Sequence, residues 1–203
     1  MHHELDELLC AKYPGIFLPG AKRVQAIFGF ECGDGWYPLI NAACALIQGD
    51  IQATGNHLVA SQVKQKFGGL RFYYRGGDDY AASVISLAES LATHVCEVCG
   101  AFGKGVVLFG WMHTRCLDHE ETTTYEDALG ASGRQYLQTI PVMDELLGSA
   151  LVFFACDGQA AARWLIQPVR ALGHAIPLAL AGTLEGQRQV MDVLGRLEHG
   201  IPQ

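Results

Sequence analysis

The 203-residue sequence lacks several features that mark common functional classes. No apolar run approaches the ~18–20 residues that a membrane-spanning helix needs. Residues 1–30 show no basic start followed by an apolar stretch, so we expect no signal peptide and predict a cytoplasmic protein. We find neither a nucleophile–base pair nor a glycine-rich phosphate loop. The protein is therefore predicted not to be an enzyme.

Positive charge is also scarce. The formal net charge is −7, and residues 1–122 carry 9 Lys and Arg against 13 Asp and Glu, while residues 123–203 carry 5 against 8. Neither part offers the basic field on which non-specific DNA binding depends. Hydrophobic residues make up 50% of the chain, which is enough for a substantial core in one or two domains.

The seven cysteines divide into a cluster and four scattered residues. Cys10, Cys32, Cys44 and Cys156 are scattered, and we predict that they are small buried hydrophobes rather than disulfide partners. An odd number of cysteines without a secretion signal favours a reducing cytoplasm. The clustered cysteines differ, because their spacing is typical of metal ligands.

The strongest chemical motif is Cys96-Glu-Val-Cys99-Gly, followed by Cys116-Leu-Asp-His119. Three thiolates and an imidazole are a good tetrahedral ligand set for zinc. The residues between the two pairs predict a hairpin, and the spacing of Cys116 and His119 predicts that both lie on one helix face. This order looks like a treble-clef zinc finger. Four protein ligands leave no open position for water, so we predict a structural zinc ion rather than a catalytic one.

Alternatives remain open at this motif. His113 and His94 are rivals for the fourth ligand position, and a zinc ribbon has a similar spacing of ligands. A redox pair formed by Cys96 and Cys99 is the chemical alternative. It is the weaker one, because a redox site does not need the second Cys/His pair.

The turn at residues 96–100 is called the knuckle below, and the part of the chain before it predicts an α+β arrangement. Apolar residues recur at helical spacing over residues 35–48. Residues Val59–Tyr74 predict an antiparallel hairpin, with Val59 and Val63 on one face and Gly68-Gly69 as its two-residue turn. A further helix is expected to start at Asp78 or Asp79 and to run through Val95 into the knuckle. Together with the zinc motif, these elements predict a zinc-stapled α+β domain over residues 1–122.

Two clusters in this part suggest rival functions. The hairpin carries basic and aromatic residues, namely Lys64, Lys66, Arg71, Arg75, Tyr73 and Tyr74. Such a mixture on a sheet can bind nucleic acid, although a solvated outer face is the simpler interpretation. The rival protein would be a zinc-containing nucleic-acid-binding transcriptional regulator or a phage-derived binding protein. A polar pocket near Glu31, Asp34 and His57 would instead indicate an enzyme.

The remaining chain predicts a small all-α domain. We expect a linker over residues 123–143, with a short helix around Arg134–Thr139, and helices over 144–203. Asp157 and Thr183 are expected to be helix N-caps, Pro168 to end a helix and Pro177 to lie in a first turn. The last helix is expected to carry an apolar stripe on one face, formed by Val190, Leu194 and Leu197.

The C-terminal segment resembles the toxin-binding domain of Xre/MbcA/ParS-type antitoxins. The likeness rests on four short pieces in the family's order, namely Trp164-Leu165, Leu172-Gly173 with Pro177-Leu178, Thr183 with Gly186, and the apolar stripe closed by Gly200. It implies an antitoxin of a type II toxin–antitoxin pair, which binds a cognate toxin. The usual partner resembles a RES-domain toxin that consumes NAD, and the antitoxin's C-terminal end lies at or near its active-site entrance.

The resemblance also implies where the toxin would be contacted. By position, the partner-binding residues are Arg196, Glu198, His199, Gly200 and Ile201, although His199 would serve equally well as a helix C-terminal cap. Such antitoxins usually carry a helix-turn-helix domain and repress their own promoter. We find no convincing helix-turn-helix here, because the predicted zinc module takes its place. A homodimer is compatible with this assignment.

Overall fold

The computed structural model describes residues 1–17, 29–122, 130–139 and 143–198. The helices in these ranges are α1 (His3–Lys12), α2 (Pro14–Phe17), α3 (Tyr37–Thr54), α4 (Asp79–Ala92), α5 (Gly130–Thr139), α6 (Asp144–Phe153), α7 (Gly158–Leu165), α8 (Pro177–Leu180) and α9 (Leu184–Glu198). The strands are β1 (Phe30–Glu31), β2 (Leu58–Lys66), β3 (Gly69–Gly76), β4 (Lys104–Leu108) and β5 (Trp111–Arg115). Among the described helices, none combines the length and apolarity needed to cross a bilayer.

A three-stranded sheet of order β1-β2-β3 forms the centre of the first half. β1 runs parallel to β2, and β2 pairs with β3 in an antiparallel hairpin. The buried side chains of this hairpin include Leu58, Ala60, Val63, Leu70 and Phe72. The predicted alternation of Val59 with Val63 is wrong, because a bulge between Ala60 and Gln62 shifts the pairing by one residue.

The turn of this hairpin also differs from the prediction. Lys66 pairs with Gly69, so the two turn residues are Phe67 and Gly68 rather than Gly68 and Gly69. Both have positive φ, 54° and 74°, as a two-residue turn of this twist requires. Gly68 tolerates that backbone, but a bulky phenylalanine rarely adopts it. The turn therefore leaves the Phe67 ring 71% exposed at the hairpin tip.

The two long helices of the first half largely follow the sequence signals. The helix predicted over 35–48 is confirmed as α3, but it continues to Thr54, where Gly55 at φ 76° ends it. The predicted Asp78 cap of α4 is confirmed, since its carboxylate accepts a hydrogen bond from the Ala81 N–H at 2.9 Å. Helix α4 ends at Ala92, before the predicted Val95, because the chain turns there into the knuckle.

The segment predicted as a linker contains α5, which is longer than the expected helix at Arg134–Thr139. Leu137 on this helix is buried, and it belongs to a hydrophobic core that extends from Leu5 to Leu194. The division into residues 1–122, a linker at 123–143 and residues 144–203 stays a prediction. The structure adds that all three parts contribute side chains to one core.

The C-terminal helices follow the sequence signals closely. Asp157 caps α7 by accepting from the Ala160 N–H at 2.9 Å, and the Thr183 hydroxyl accepts from the Gly186 N–H at 3.0 Å. Pro177 is the first residue of α8. Val190 and Leu194 are buried on the inner face of α9. The predicted cap at Gly200 lies outside the described residues.

Of the four scattered cysteines, three are buried as predicted, namely Cys10, Cys32 and Cys44. Burial raises the pKa of the Cys32 thiol to about 12, so this group stays protonated at neutral pH. The prediction is wrong for Cys156, which is exposed at the connection between α6 and α7.

Candidate functional site

Four predicted metal ligands lie together at the end of α4. The ligand atoms of Cys96, Cys99, Cys116 and His119 are all within 4.8 Å of one another. The knuckle forms directly after α4, where the Cys96 N–H donates to Ala101 O and the Gly100 N–H donates to Cys96 O. Gly100 has φ 79°, which permits this tight turn. The hairpin β4–β5 then returns the chain to the knuckle with Cys116 and His119.

The spacing of these ligand atoms fits a tetrahedral zinc ion. Bonds of ordinary length to zinc place two sulfurs about 3.8 Å apart and a sulfur and a nitrogen about 3.6 Å apart. Cys99 Sγ lies 3.6 Å from Cys116 Sγ. His119 Nδ1 lies 3.9 Å from Cys96 Sγ and 3.3 Å from Cys116 Sγ. The donor set and its size therefore both suit Zn²⁺.

The second ligand pair is carried by less helix than predicted. Residues Leu117–His119 form one turn of 3₁₀ helix after Cys116, not the expected α-helix. The i and i+3 side chains of a 3₁₀ helix eclipse each other, so Cys116 and His119 still point the same way. The order of knuckle, hairpin and short helical turn remains as predicted.

Both rival histidines make other contacts. His94 Nδ1 lies 2.9 Å from Thr93 Oγ1, and its ring lies beside Phe102. His113 Nδ1 lies 3.4 Å from Glu97 Oε1 and 3.3 Å from an Arg115 guanidinium nitrogen. Neither histidine is part of the Cys₃His group, which leaves His119 as the imidazole that the structure brings to the thiols.

The three thiols interact with one another and with the knuckle backbone. A hydrogen bond from the Cys99 thiol, assisted by backbone N–H groups, lowers the pKa of the Cys96 thiol. The same shared proton raises the pKa of Cys99, and burial raises that of Cys116. A bound metal ion replaces these protons, since only thiolates act as zinc ligands.

A buried ion pair, which was not predicted from the sequence, lies beside the knuckle. Glu97 and Arg115 are both fully buried, and their Oε1 and guanidinium nitrogen lie 3.0 Å apart. Glu97 Oε1 also accepts the Thr114 N–H at 2.7 Å. Each charged residue is the immediate neighbour of a metal ligand, Cys96 or Cys116. That flanking pattern of opposite charges is the sequence signal that would have predicted the pair.

The segment before α3 packs directly on the knuckle. A side chain at Gly33 would place its Cβ 2.0 Å from Glu97 O, and one at Gly35 would place it 2.2 Å from Cys96 O. The Trp36 indole N–H donates to Val95 O at 2.8 Å and is fully buried. The two glycines are therefore needed for the close approach of this segment to the knuckle.

The polar pocket of the rival enzyme interpretation does not assemble. Asp34 is buried and accepts the His2 N–H, whereas Glu31 is exposed and accepts from the Gln62 amide. Glu31 is the strand partner of Lys64 near the C-terminal end of β2, whereas His57 lies just before the N-terminal end of that strand. The three residues thus face different surroundings.

The predicted partner-binding residues lie in the last turn of α9 and beyond it. Arg196 and Glu198 are exposed, and Arg196 forms an ion pair with Asp192. His199, Gly200 and Ile201 lie outside the described residues. A shallow depression of about 250 Å³ adjoins this turn, lined by Ala171, Leu172, Gln189, Asp192, Val193 and Arg196. The exposed end of α9 is therefore beside a concave surface.

The helices that present this surface match a known domain family. Residues 145–200 match the antitoxin Xre/MbcA/ParS C-terminal toxin-binding domain. This match covers the described helices from α6 to α9 almost completely, and it confirms the predicted resemblance. The family match thus applies to the segment that forms helices α6 to α9.

Two curated proteins named Antitoxin Xre are similar to this chain. The protein from Photorhabdus laumondii subsp. laumondii is 36% identical over 64 residues, which are 32% of this chain and 43% of that protein. The protein from Yersinia enterocolitica serotype O:8 is 33% identical over 88 residues, or 43% of this chain and 53% of that protein. The chain spans about half the length of these relatives. No solved structure matches it.

Proposed function

We propose that this chain is the antitoxin of a type II toxin–antitoxin pair, and that it neutralises a RES-like, NAD-consuming toxin by covering the toxin's active site. The observation that carries this proposal is the toxin-binding-domain match over residues 145–200, which coincides with α6 to α9. The two similar proteins named Antitoxin Xre support it. The mechanism is steric and requires no covalent chemistry from this chain.

The end of α9 is the proposed contact with the toxin. Arg196 and Glu198 are exposed there, beside the depression between Leu172 and Val193. Buried Val190 and Leu194 hold the helix against the core, so its exposed face is presented in a fixed orientation. His199, Gly200 and Ile201 would extend this contact.

The proposed role of Cys96, Cys99, Cys116 and His119 is to bind a structural zinc ion. The ion would hold the knuckle and the hairpin β4–β5 together, and it would supply no chemistry to a substrate. The small apolar cluster around these ligands, formed by Val98 and the cysteines, supports that role because it offers little hydrophobic stabilisation. Thiolate ligands for zinc persist in a reducing compartment, so the cytoplasm is the proposed site of action.

The test is a co-expression rescue in a bacterial host. The gene beside this one is expressed alone and then with the full-length chain, while growth and cellular NAD are measured. We expect the neighbour to stop growth and deplete NAD, and the full-length chain to restore both and to co-purify with it. A harmless neighbour would contradict the antitoxin proposal, and a toxic neighbour that leaves NAD unchanged would contradict its RES-like part.

Charge reversal at the end of α9 tests the contact itself. The double variant Arg196→Glu/Glu198→Lys is expected to reduce co-purification at least tenfold, because the reversed charges face the toxin surface. The double variant Glu185→Lys/Arg188→Glu is the matched control on the same helix, since both residues are exposed and pair with each other. Equal binding by both variants would place the contact elsewhere on the domain.

A further inference from the structure

The outer face of the hairpin β2–β3 gathers four of the chain's cations. Lys64 lies directly opposite Arg71 in the antiparallel register, so these two side chains share one face. Lys66 and Arg75 share the same face by alternation along their strands, because the neighbouring Val63 and Phe72 point into the core. The regular register that starts at the turn places Lys64 opposite Arg71, before the bulge is reached.

In the described part of the chain, these four cations lie together on one face without a carboxylate that neutralises them. Within the residues that the structure describes, none of the four forms an ion pair. By contrast, Lys104, Arg115 and Arg196 each have a carboxylate partner. One acid, Glu31, sits beside Lys64 at the edge of the sheet, but its carboxylate accepts from the Gln62 amide at 2.7 Å. The face therefore keeps a local excess of positive charge.

Aromatic rings are interleaved with the cations. Tyr73 points outward and is 41% exposed, and Lys64 Nζ lies 5.4 Å from its ring centre. At the hairpin tip, Lys66 Nζ lies 5.4 Å from the ring centre of exposed Phe67. Tyr74, which the sequence grouped with them, instead packs against the core. The rings of Tyr73 and Phe67 are therefore exposed among the four cations.

We propose that the outer face of β2–β3 is a binding surface for single-stranded nucleic acid. A single strand offers both a row of phosphates for the cations and unstacked bases for the rings of Tyr73 and Phe67. An acidic peptide would satisfy the charges but would leave the rings without a stacking partner. A duplex would satisfy the charges but would keep its bases stacked inside the helix.

This surface is separate from the proposed toxin contact. Helix α4 lies between the sheet and α7: Glu89 accepts the Phe72 N–H of β3, while Ser86 and Ser90 accept from Gln159 of α7. The cations lie on the face of the sheet opposite to the buried side chains of Val63 and Phe72. Nucleic acid on the sheet is thus expected to leave the end of α9 accessible, and its binding does not depend on the antitoxin proposal.

The test measures the affinity of the full-length, zinc-loaded chain for a fluorescein-labelled oligo(dT) strand of about 15 nucleotides by fluorescence anisotropy. Between about 50 and 200 mM salt, we expect the logarithm of the association constant to fall with a slope of about −2 to −3, because four phosphate contacts release counterions. A duplex of the same length should bind at least tenfold more weakly. Absence of oligo(dT) binding at low salt, or equal binding of the duplex, would overturn the proposal.

Two variants separate the cations from the rings. Lys64→Glu/Lys66→Glu should weaken oligo(dT) binding more than tenfold and make the salt slope shallower by about 1 to 2. The control Arg163→Glu/Arg188→Glu changes the net charge equally on exposed residues of α7 and α9 and should bind as the parent chain does. Tyr73→Ala should weaken binding about tenfold without changing the slope, because it removes stacking alone.

Circular dichroism and zinc content confirm that each variant folds. Equal losses in the two charge-reversal variants would overturn the assignment, since the effect would then follow net charge. Competition by poly-glutamate as effective as that by unlabelled oligo(dT) would also overturn it, and would indicate an acidic protein as the ligand of this face.

Discussion

The knuckle region, residues 94–119, and the C-terminal helices, residues 144–198, are held in place by different groups. The knuckle has a small cluster of buried Cys96, Val98 and Cys116, beside a buried ion pair. The helices instead insert apolar side chains such as Leu165, Val190 and Leu194 into the main core. Directional contacts thus organise one region and non-directional burial the other, so each should fail under a different perturbation.

The two regions nevertheless face each other. An apolar cavity of about 310 Å³ lies between them, lined on one side by Gly100 and Phe102 of the knuckle and on the other by Leu178 and Ala181 near α8. The helices also contact α4 through Gly158, where an added Cβ would lie 2.2 Å from Ser83 O. The two regions therefore meet at this cavity, and the C-terminal helices also pack on the helix that leads into the knuckle.

Loss of a metal ligand should produce the largest effect. Cys99→Ser is expected to lower the zinc content from one ion per chain to none and to unfold the knuckle, because structural zinc supplies much of the folding free energy of such modules. Elemental analysis and proteolysis of the knuckle measure this. Cys156→Ser is the matched control, since Cys156 is exposed and distant in sequence from the ligands. Full zinc content in Cys99→Ser would contradict the ligand assignment.

Breaking the buried ion pair should come next. Glu97→Ala leaves the Arg115 charge buried without its partner and should lower the free energy of unfolding by about 3–5 kcal/mol. Denaturant unfolding followed by tryptophan fluorescence measures the loss. Lys104→Ala breaks the exposed pair with Glu120 and should cost only about 0–1 kcal/mol. Similar losses in the free energy of unfolding would show that burial does not determine how strongly these ion pairs stabilise the protein.

A cavity in the helical region should be slightly less damaging, but it should affect a different function. Leu194→Ala removes a buried side chain from α9 and should cost about 2–5 kcal/mol, with loss of toxin binding and unchanged zinc content. Leu184→Ala on the same helix is the control, because Leu184 is exposed. Retained binding by a folded Leu194→Ala chain would argue against this packing of α9.

The smallest effect should come from the contact between α4 and the C-terminal helices. Gly158→Ala forces a methyl group against Ser83 O and should cost about 1–3 kcal/mol. Gly195→Ala, whose added Cβ meets nothing within 4 Å, should instead raise the free energy of unfolding by about 0.5–1 kcal/mol. Thermal unfolding of both variants measures this difference. A loss of stability in Gly158→Ala with a gain in Gly195→Ala would support the α4–α7 contact, and equal gains in both variants would contradict it.

Several elements were predictable because their signals are local. Asp78, Asp157 and Thr183 cap their helices as expected, since a short polar side chain reaches its own backbone within three residues. Spacing and ligand chemistry grouped the three cysteines and favoured His119 as their imidazole, but they left His94 and His113 as rivals. The hairpin turn and the bulge were not, because both depend on which residues of the opposite strand pair with β2.

By itself, the sequence determined which chemical groups are available and how they are spaced along each helix or strand. That spacing was enough to group the clustered cysteines and to predict the N-caps of the C-terminal helices. Only the tertiary structure decided that His119 joins the thiols, that Glu97 meets Arg115, and that four cations share one sheet face with Tyr73. These juxtapositions join distant segments, and their geometry follows from strand register and packing rather than from local backbone preference.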